Sequence, residues 1–203
     1  MRSAPPPASW PGSRSARSRT VSSGAARGPI EVIVEIPRGS RNKYEYDHRR
    51  RRFVLDRVLF SSVHYPTDYG FIEGSLAEDG DPLDVLVLIS EATFPGCVVR
   101  ARPIGMLDMR DDKGHDYKIV AVAHDDPRWD EVDGLEDLPP HQLLEIENFF
   151  ETYKTLEKRI TEVGAWLPAD EAWRVIDDAV QAGERIASES GDSVEAPVPG
   201  LWR

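Results

Sequence analysis

Apolar and polar residues alternate along the first third of the chain after an N-terminal stretch without such a pattern. Residues 30–36 have the two-residue period of a β-strand, in which Glu35 points away from the main aliphatic stripe. Residues 43–47 alternate in the same way, and 53–59 read as the return strand of a hairpin. Arg57 lies within the apolar stripe of that return strand, so it requires a partner for its charge.

The later part of the chain contains further strands and then helices. The aliphatic run 85–89 predicts a buried strand, and 97–109 predicts a long strand that turns into another at 116–122. Apolar residues at helical spacing predict helices at about 139–156 and 168–188. Strands that all precede the main helices indicate an α+β class, mainly β: a closed or partly closed barrel with two flanking C-terminal helices.

The segment Asp79-Gly80-Asp81-Pro82-Leu83-Asp84 places three carboxylates on one turn directly before a buried strand. Two interpretations are open: a solvated acidic turn, or a site for a hard divalent cation with oxygen ligands. The spacing excludes an EF-hand loop, because the glycine is second and the twelfth residue is Ser90. Before this turn, the aromatic segment 63–72, with a proline and a glycine, predicts packing around a turn.

Composition and charge predict three regions. Residues 1–29 contain five arginines and no acid, and we expect them to form a disordered basic extension. The alternatives are an organelle-targeting segment or an extended or misassigned start of the chain. Residues 30–190 are the single expected domain, and 191–203 a flexible tail. With the arginines subtracted from the net charge of −11, the remainder carries about −16, which repels nucleic acid. No apolar run has the length of a membrane helix, and the single cysteine, Cys97, fits a reducing compartment.

Acidic, basic and hydroxyl side chains are candidates for one cluster. Seven carboxylates in one site cannot all ionise together without cations. Lys and Arg are poor neighbours for a metal ion unless an anionic ligand lies between them and the metal. Carboxylates, divalent cations and basic groups together describe a phosphate site. The candidate acids are Glu35, Glu45, Asp79, Asp81, Asp84, Asp111 and Asp116, the bases Lys43, Arg57, Lys118 and Lys154, and the hydroxyls Tyr65, Tyr69 and Tyr153.

Six segments, spread in unbroken order over about residues 30–166, resemble the soluble family I inorganic pyrophosphatases. The D-G-D-P-L-D segment is the most specific of them. The pairing of His48 with Asp47 and the segment Pro127-Arg128-Trp129 resemble the actinobacterial branch. The six are Glu35-Ile36-Pro37, Lys43-Tyr44-Glu45, Tyr65 to Ile72, Asp79 to Asp84, Asp111 with Asp116-Tyr117-Lys118, and Phe149 to Lys154.

The resemblance implies a five-stranded oligonucleotide-binding-type (OB-type) barrel and hydrolysis of pyrophosphate to two phosphates by metal-activated water. It further implies several Mg²⁺ ions per active site, a cytoplasmic location and a homohexamer. Asp81 or Asp116 would accept the nucleophile's proton, and Glu45 would have a supporting role. The implied metal ligands are Glu35, Asp79, Asp84, Asp111 and Asp116; the implied substrate-binding residues are Lys43, Arg57, Tyr65, Tyr69, Lys118, Tyr153 and Lys154.

Two alternatives remain open at this stage. The first is a metal-dependent hydrolase of nucleotides or polyphosphate, which the paired clamp of Arg57 and Tyr153-Lys154 disfavours relative to a small symmetric substrate. The second is a non-enzymatic OB-type protein that binds single-stranded nucleic acid, which would need a basic groove with stacking aromatics. The chain departs from the family pattern after Leu156-Glu157, where Lys158-Arg159 replaces the usual glycine-containing turn.

Overall fold

A computed structural model describes residues 27–111, 114–159 and 161–190 of the chain, except for the side chains at 111 and 190. The predicted tail 191–203 and most of the predicted extension 1–29 lie outside these ranges, so both remain predictions. The strands are β1 Ile30–Ile36, β2 Asn42–Asp47, β3 Arg52–Val58, β4 Asp68–Phe71, β5 Asp84–Leu88, β6 Val98–Asp111, β7 Gly114–His115, β8 Lys118–Ala123 and β9 Glu162–Pro168; the α-helices are α1 Pro140–Thr152 and α2 Ala169–Ser190.

Five of the strands close into a ring in the order β1-β4-β5-β8-β6, because β6 pairs back onto β1. Every neighbouring pair in the ring is antiparallel except β5 and β8, which run parallel. The short β7 and the later β9 extend the sheet from β6. The predicted mainly β fold with a five-stranded ring and two main helices is therefore confirmed.

Strands β2 and β3 form a separate two-stranded hairpin outside the ring. Its register places Lys43 directly opposite Arg57. Like charges that face each other across a strand pair repel, so both depend on nearby acids. Three arginines, at 49–51, lie in the exposed connection of this hairpin, and the equally exposed Arg52 begins β3.

The ring is buried on both faces, which explains the continuous apolar runs in its central strands. Alternate residues of β5 separate into two core clusters: Leu86 and Leu88 pack with α1, whereas Val85 and Val87 pack with α2. Phe150 of α1 is 1% exposed and anchors the first helix on the ring. No helix within the described ranges is long and apolar enough to span a membrane.

The structure differs from the expected elements in three places. Segment 68–71 is strand β4, and it packs so closely on β1 that a Cβ on Gly70 would lie 2.1 Å from the Ile33 carbonyl oxygen. Helix α1 ends at Thr152, and residues 155–157 form a separate 3₁₀ turn instead of a continuation of the helix. The third difference is strand β9, which was not expected; it follows the stretch that departs from the family pattern and pairs with β6.

Candidate active site

A buried lysine lies between two carboxylates at the parallel edge of the ring. Lys118 begins β8 and pairs in register with Asp84, the first residue of β5. The Lys118 ammonium donates to the Asp84 carboxylate and, at 2.5 Å, to Asp116. Asp116 is held in turn by its own N–H, which donates to the Met109 carbonyl oxygen at 2.8 Å. The strand register therefore brings Asp84 to Lys118 from 34 positions away, and Asp116 reaches the same ammonium from two positions before it.

Three predicted tyrosines surround this charged group and exclude water from it. Lys118 Nζ lies 3.3 Å from the Tyr69 hydroxyl, and the Tyr69 ring packs on Tyr65 with centroids 5.5 Å apart. Phe149 of α1 stacks on Tyr153 and contacts Tyr65. Helix α1 therefore supplies the apolar wall that holds the three phenols in place.

Burial and local charge together determine the protonation of the group. Burial by itself would lower the pKa of Lys118, but the charges of Asp84 and Asp116 raise it above its ordinary value. Burial raises the pKa of Tyr69 and of Tyr153, and the same two carboxylates raise both further. At neutral pH the site therefore contains a charged ammonium and neutral phenols, and the three N–H donors of the ammonium are directed at Asp84, Asp116 and the Tyr69 hydroxyl.

The acidic turn borders the same site. A cavity of about 250 Å³ is lined by Asp79, Asp84 and Asp116, together with residues of α2. Gly80 has a φ of +89°, a conformation that favours glycine at the tip of this turn. Asp81 is exposed on the turn, and its N–H donates to Asp79 Oδ1 at 3.1 Å. Asp79, Asp84 and Asp116 line this cavity and Asp81 does not; within the described ranges no three acidic, His or Cys side chains converge on one point.

The donor chemistry of this cavity fits a hard divalent cation. The predicted ligands that line it offer carboxylate oxygens, the ligands that Mg²⁺ prefers. One lysine ammonium accompanies Asp84 and Asp116, so the trio retains a net negative charge that a cation would neutralise. The fifth predicted ligand, Asp111, ends β6, and its side chain lies outside the description.

Glu35 approaches the site from β1. Its Oε1 accepts the Tyr46 N–H at 2.7 Å, which joins the ring to the hairpin. Burial raises the pKa of Glu35 to about 7, and the charge of Asp84 raises it as well, whereas the Tyr46 hydrogen bond and Lys43 lower it. The Glu35 carboxyl is therefore within electrostatic reach of the Asp84 and Lys43 side chains.

The hairpin and the segment after α1 supply the remaining basic residues. Lys43 Nζ contacts the Glu45 carboxylate and lies 3.6 Å from Asp56 Oδ2. Arg57 pairs with Asp56 and, through Nε, with Glu157 Oε1 at 3.0 Å. Lys154 Nζ lies 5.2 Å from the centre of the Tyr153 ring.

The model of the Pyrophosphatase family, described as inorganic pyrophosphatase, matches residues 32–184. The chain belongs to this family. Among curated inorganic pyrophosphatases, the protein of Halalkalibacterium halodurans is 56% identical over 149 residues, which cover 73% of this chain and 91% of the relative. The inorganic pyrophosphatase of Nostoc sp. is 51% identical over 155 residues, which cover 76% of this chain and 92% of the relative.

The fold of this pyrophosphatase family member agrees with solved structures of inorganic pyrophosphatases. That of the Thermus thermophilus enzyme has a TM-score of 0.76 and 41% identity, covering 79% of this chain and 94% of that one. The Helicobacter pylori enzyme has the same TM-score at 39% identity, with coverage of 77% and 94%.

Two residues that contact the site were not predicted from the sequence. Asp56 contacts both Lys43 and Arg57. Its position directly before Arg57 in the sequence could have indicated it as a partner of that charge. Glu157 reaches Arg57 from 100 positions away in the chain, a separation that gives no local pattern.

Proposed function

We propose that the chain hydrolyses inorganic pyrophosphate to two phosphates in a Mg²⁺-dependent reaction at this site. The observation that supports the proposal most directly is the buried Lys118 between Asp84 and Asp116, beside a cavity whose lining includes Asp79 and these two carboxylates. It places oxygen ligands for a cation next to a buried positive charge, and a metal-bound phosphate substrate requires both.

The proposed roles divide the site into two parts. Asp79, Asp84 and Asp116 would hold divalent cations, with Glu35 and Asp111 contributing further ligands. These cations would neutralise phosphoryl charge and lower the pKa of the attacking water. Asp81 is the proposed acceptor of the water's proton, with Asp116 as the alternative. The residues proposed to bind the phosphoryl groups are Lys43, Arg57, Tyr65, Tyr69, Lys118, Tyr153 and Lys154.

The basic residues perform the electrostatic part of the proposed reaction. Charge accumulates on the leaving phosphate as the bridging bond breaks, and positioned cationic donors stabilise that charge. Arg57 and Lys43 come from the hairpin, whereas Tyr153 and Lys154 come from the two residues that follow α1. A substrate held between these elements is bound from two sides, which suits the two equivalent ends of pyrophosphate.

We also propose a homohexameric assembly and a cytoplasmic location. The hexamer follows the family resemblance, and exposed apolar side chains support self-association: Phe60 is 60% exposed, Phe94 65% and Leu156 62%. The single cysteine supports a reducing compartment. Light scattering on the purified chain tests the assembly, and a monomer at micromolar concentration would contradict it.

Phosphate release from pyrophosphate, ATP and tripolyphosphate tests the proposed substrate. We expect rapid release from pyrophosphate with Mg²⁺, none in excess chelator, and slow release from the two larger substrates. A preference for ATP or tripolyphosphate would contradict the proposal, and so would full activity after exhaustive chelation.

A further inference from the structure

One ion pair connects the two elements that carry the proposed phosphate-binding residues. Arg57 Nε on β3 donates to Glu157 Oε1, in the 3₁₀ turn Thr155–Glu157, at 3.0 Å. Their side chains are 25% and 11% exposed, respectively, so Glu157 is the more deeply buried of the two. The hairpin is a sheet separate from the ring, so this pair fixes it to the segment that follows α1.

The backbone of Glu157 is itself held in place. Its N–H donates to the Lys154 carbonyl oxygen at 2.9 Å. Lys158, the next residue, has a left-handed φ of 58°, and its N–H donates to the Thr155 carbonyl oxygen and closes the turn. Glu157 thus contacts Arg57 with its carboxylate and Lys154 with its backbone, and it links both halves of the proposed phosphate site.

The geometry of the guanidinium shows what this contact does. An arginine fork has five N–H donors in one plane, and its orientation decides which donors face a phosphate. Glu157 accepts from Nε and Asp56 from Nη1, whereas Nη2 donates to none of the described residues. The two carboxylates therefore fix the plane of the fork and leave the Nη2 edge for an anion.

We propose that Glu157 is a positioning residue, which holds the Arg57 guanidinium oriented toward a phosphoryl group of the substrate. The inference rests on the proposed pyrophosphatase function. Without the Glu157 charge, Arg57 keeps its own charge but is held by a weaker, neutral hydrogen bond, so that the substrate must order the side chain on binding. The expected consequence is weaker binding of a diphosphate with little change in the folding of the protein.

The test compares Glu157→Gln, which preserves shape and removes charge, with Glu151→Gln, a matched change at an exposed residue of α1. We expect Glu157→Gln to raise KM for pyrophosphate about tenfold, the scale of one charge-assisted hydrogen bond, with a smaller change in kcat. Calorimetry should show a similar rise in Kd for methylenediphosphonate with Mg²⁺. The control should behave like the wild type, and the thermal unfolding midpoints should be similar.

An Arg57→Lys background separates positioning from a general structural effect. Lysine has no fork to orient, so Glu157→Gln should change KM and Kd less than about twofold in that background. An undiminished effect there would overturn the proposal, as would wild-type affinity in the single variant. If Glu157→Gln does not fold, Glu157→Asp replaces it, with a smaller rise in Kd that must also disappear in the Arg57→Lys background.

The two measurements distinguish this inference from the function on which it rests. A wild-type chain without pyrophosphatase activity would refute the proposed function, whereas an active wild type with an unaffected Glu157→Gln variant would refute the positioning role. Binding of methylenediphosphonate does not require turnover, so it tests the Glu157–Arg57 contact in either case.

Discussion

Replacement of Glu35 by glutamine should stabilise the metal-free protein at alkaline pH. Glu35 is half-buried beside Asp84, and its pKa is raised from 4.5 to about 7, mainly by burial. Above pH 7 the folded protein must therefore hold a carboxylate that is more stable in the unfolded chain. Glutamine retains a carbonyl oxygen to accept the Tyr46 N–H and removes the charge.

The sign and size of the effect follow from proton linkage. Between pH 4.5 and 7 the folded state binds more protons at Glu35 than the unfolded state, so the stability of the wild type falls as pH rises. The difference between the two pKa values corresponds to about 3 kcal/mol. Relative to Glu35→Gln, the free energy of unfolding of the wild type should therefore fall by about 3 kcal/mol by pH 8, and by under about 1 kcal/mol by pH 5.

Urea unfolding followed by tryptophan fluorescence, in excess chelator at pH 5 and pH 8, measures this difference. Glu31→Gln is the matched control, because Glu31 is exposed on the same strand. This substitution should change the free energy of unfolding by no more than about 0.5 kcal/mol at either pH. Added Mg²⁺ should stabilise the wild type more than Glu35→Gln if Glu35 contributes to the cation site. A stability difference that does not change with pH would refute the reasoning.

Three further outcomes are expected. Asp81→Asn should lower kcat by about 10²–10⁴-fold, the range for a general base, and recovery at high Mg²⁺ would favour Asp116 in that role. Lys118→Met should destabilise the metal-free protein by about 3–5 kcal/mol in urea unfolding, because it leaves Asp84 and Asp116 unpaired; wild-type stability would show that these acids need no internal cation. Ca²⁺ should inhibit phosphate release in competition with Mg²⁺, since it prefers looser coordination, and rates with Ca²⁺ equal to those with Mg²⁺ would contradict this.

The sequence predicted strands from two signals, side chains that alternate between two environments and a run of consecutive aliphatic residues such as that of β5. Strands β1, β2 and β3 have a clear two-residue period, and their bounds lie within one residue of those expected. Strand β4 has no such period, because all four of its residues are buried and Gly70 permits close contact with β1. Strand β9 mixes exposed and half-buried residues without alternation, so its pairing with β6 was not evident.

Residue chemistry indicated the components of the site, but tertiary structure determines which of them meet. The acids, bases and tyrosines are recognisable as types, whereas the contact of Asp84 with Lys118 depends on the parallel register of β5 and β8. Similarly, an arginine in an apolar stripe predicts that Arg57 has a partner. It does not predict that this partner is Glu157, which the turn after α1 brings back to the hairpin.

The most direct test of a cation site at Asp84 is the rate of phosphate release from pyrophosphate as a function of Mg²⁺ concentration. The wild type is compared with Asp84→Asn and with Asp125→Asn, an exposed acid that pairs with Arg100 away from the site. We predict that the wild type and Asp125→Asn reach the same maximal rate at the same Mg²⁺ concentration, while Asp84→Asn requires markedly more Mg²⁺ and partly recovers. An Asp84→Asn variant with an unchanged Mg²⁺ requirement would contradict the account.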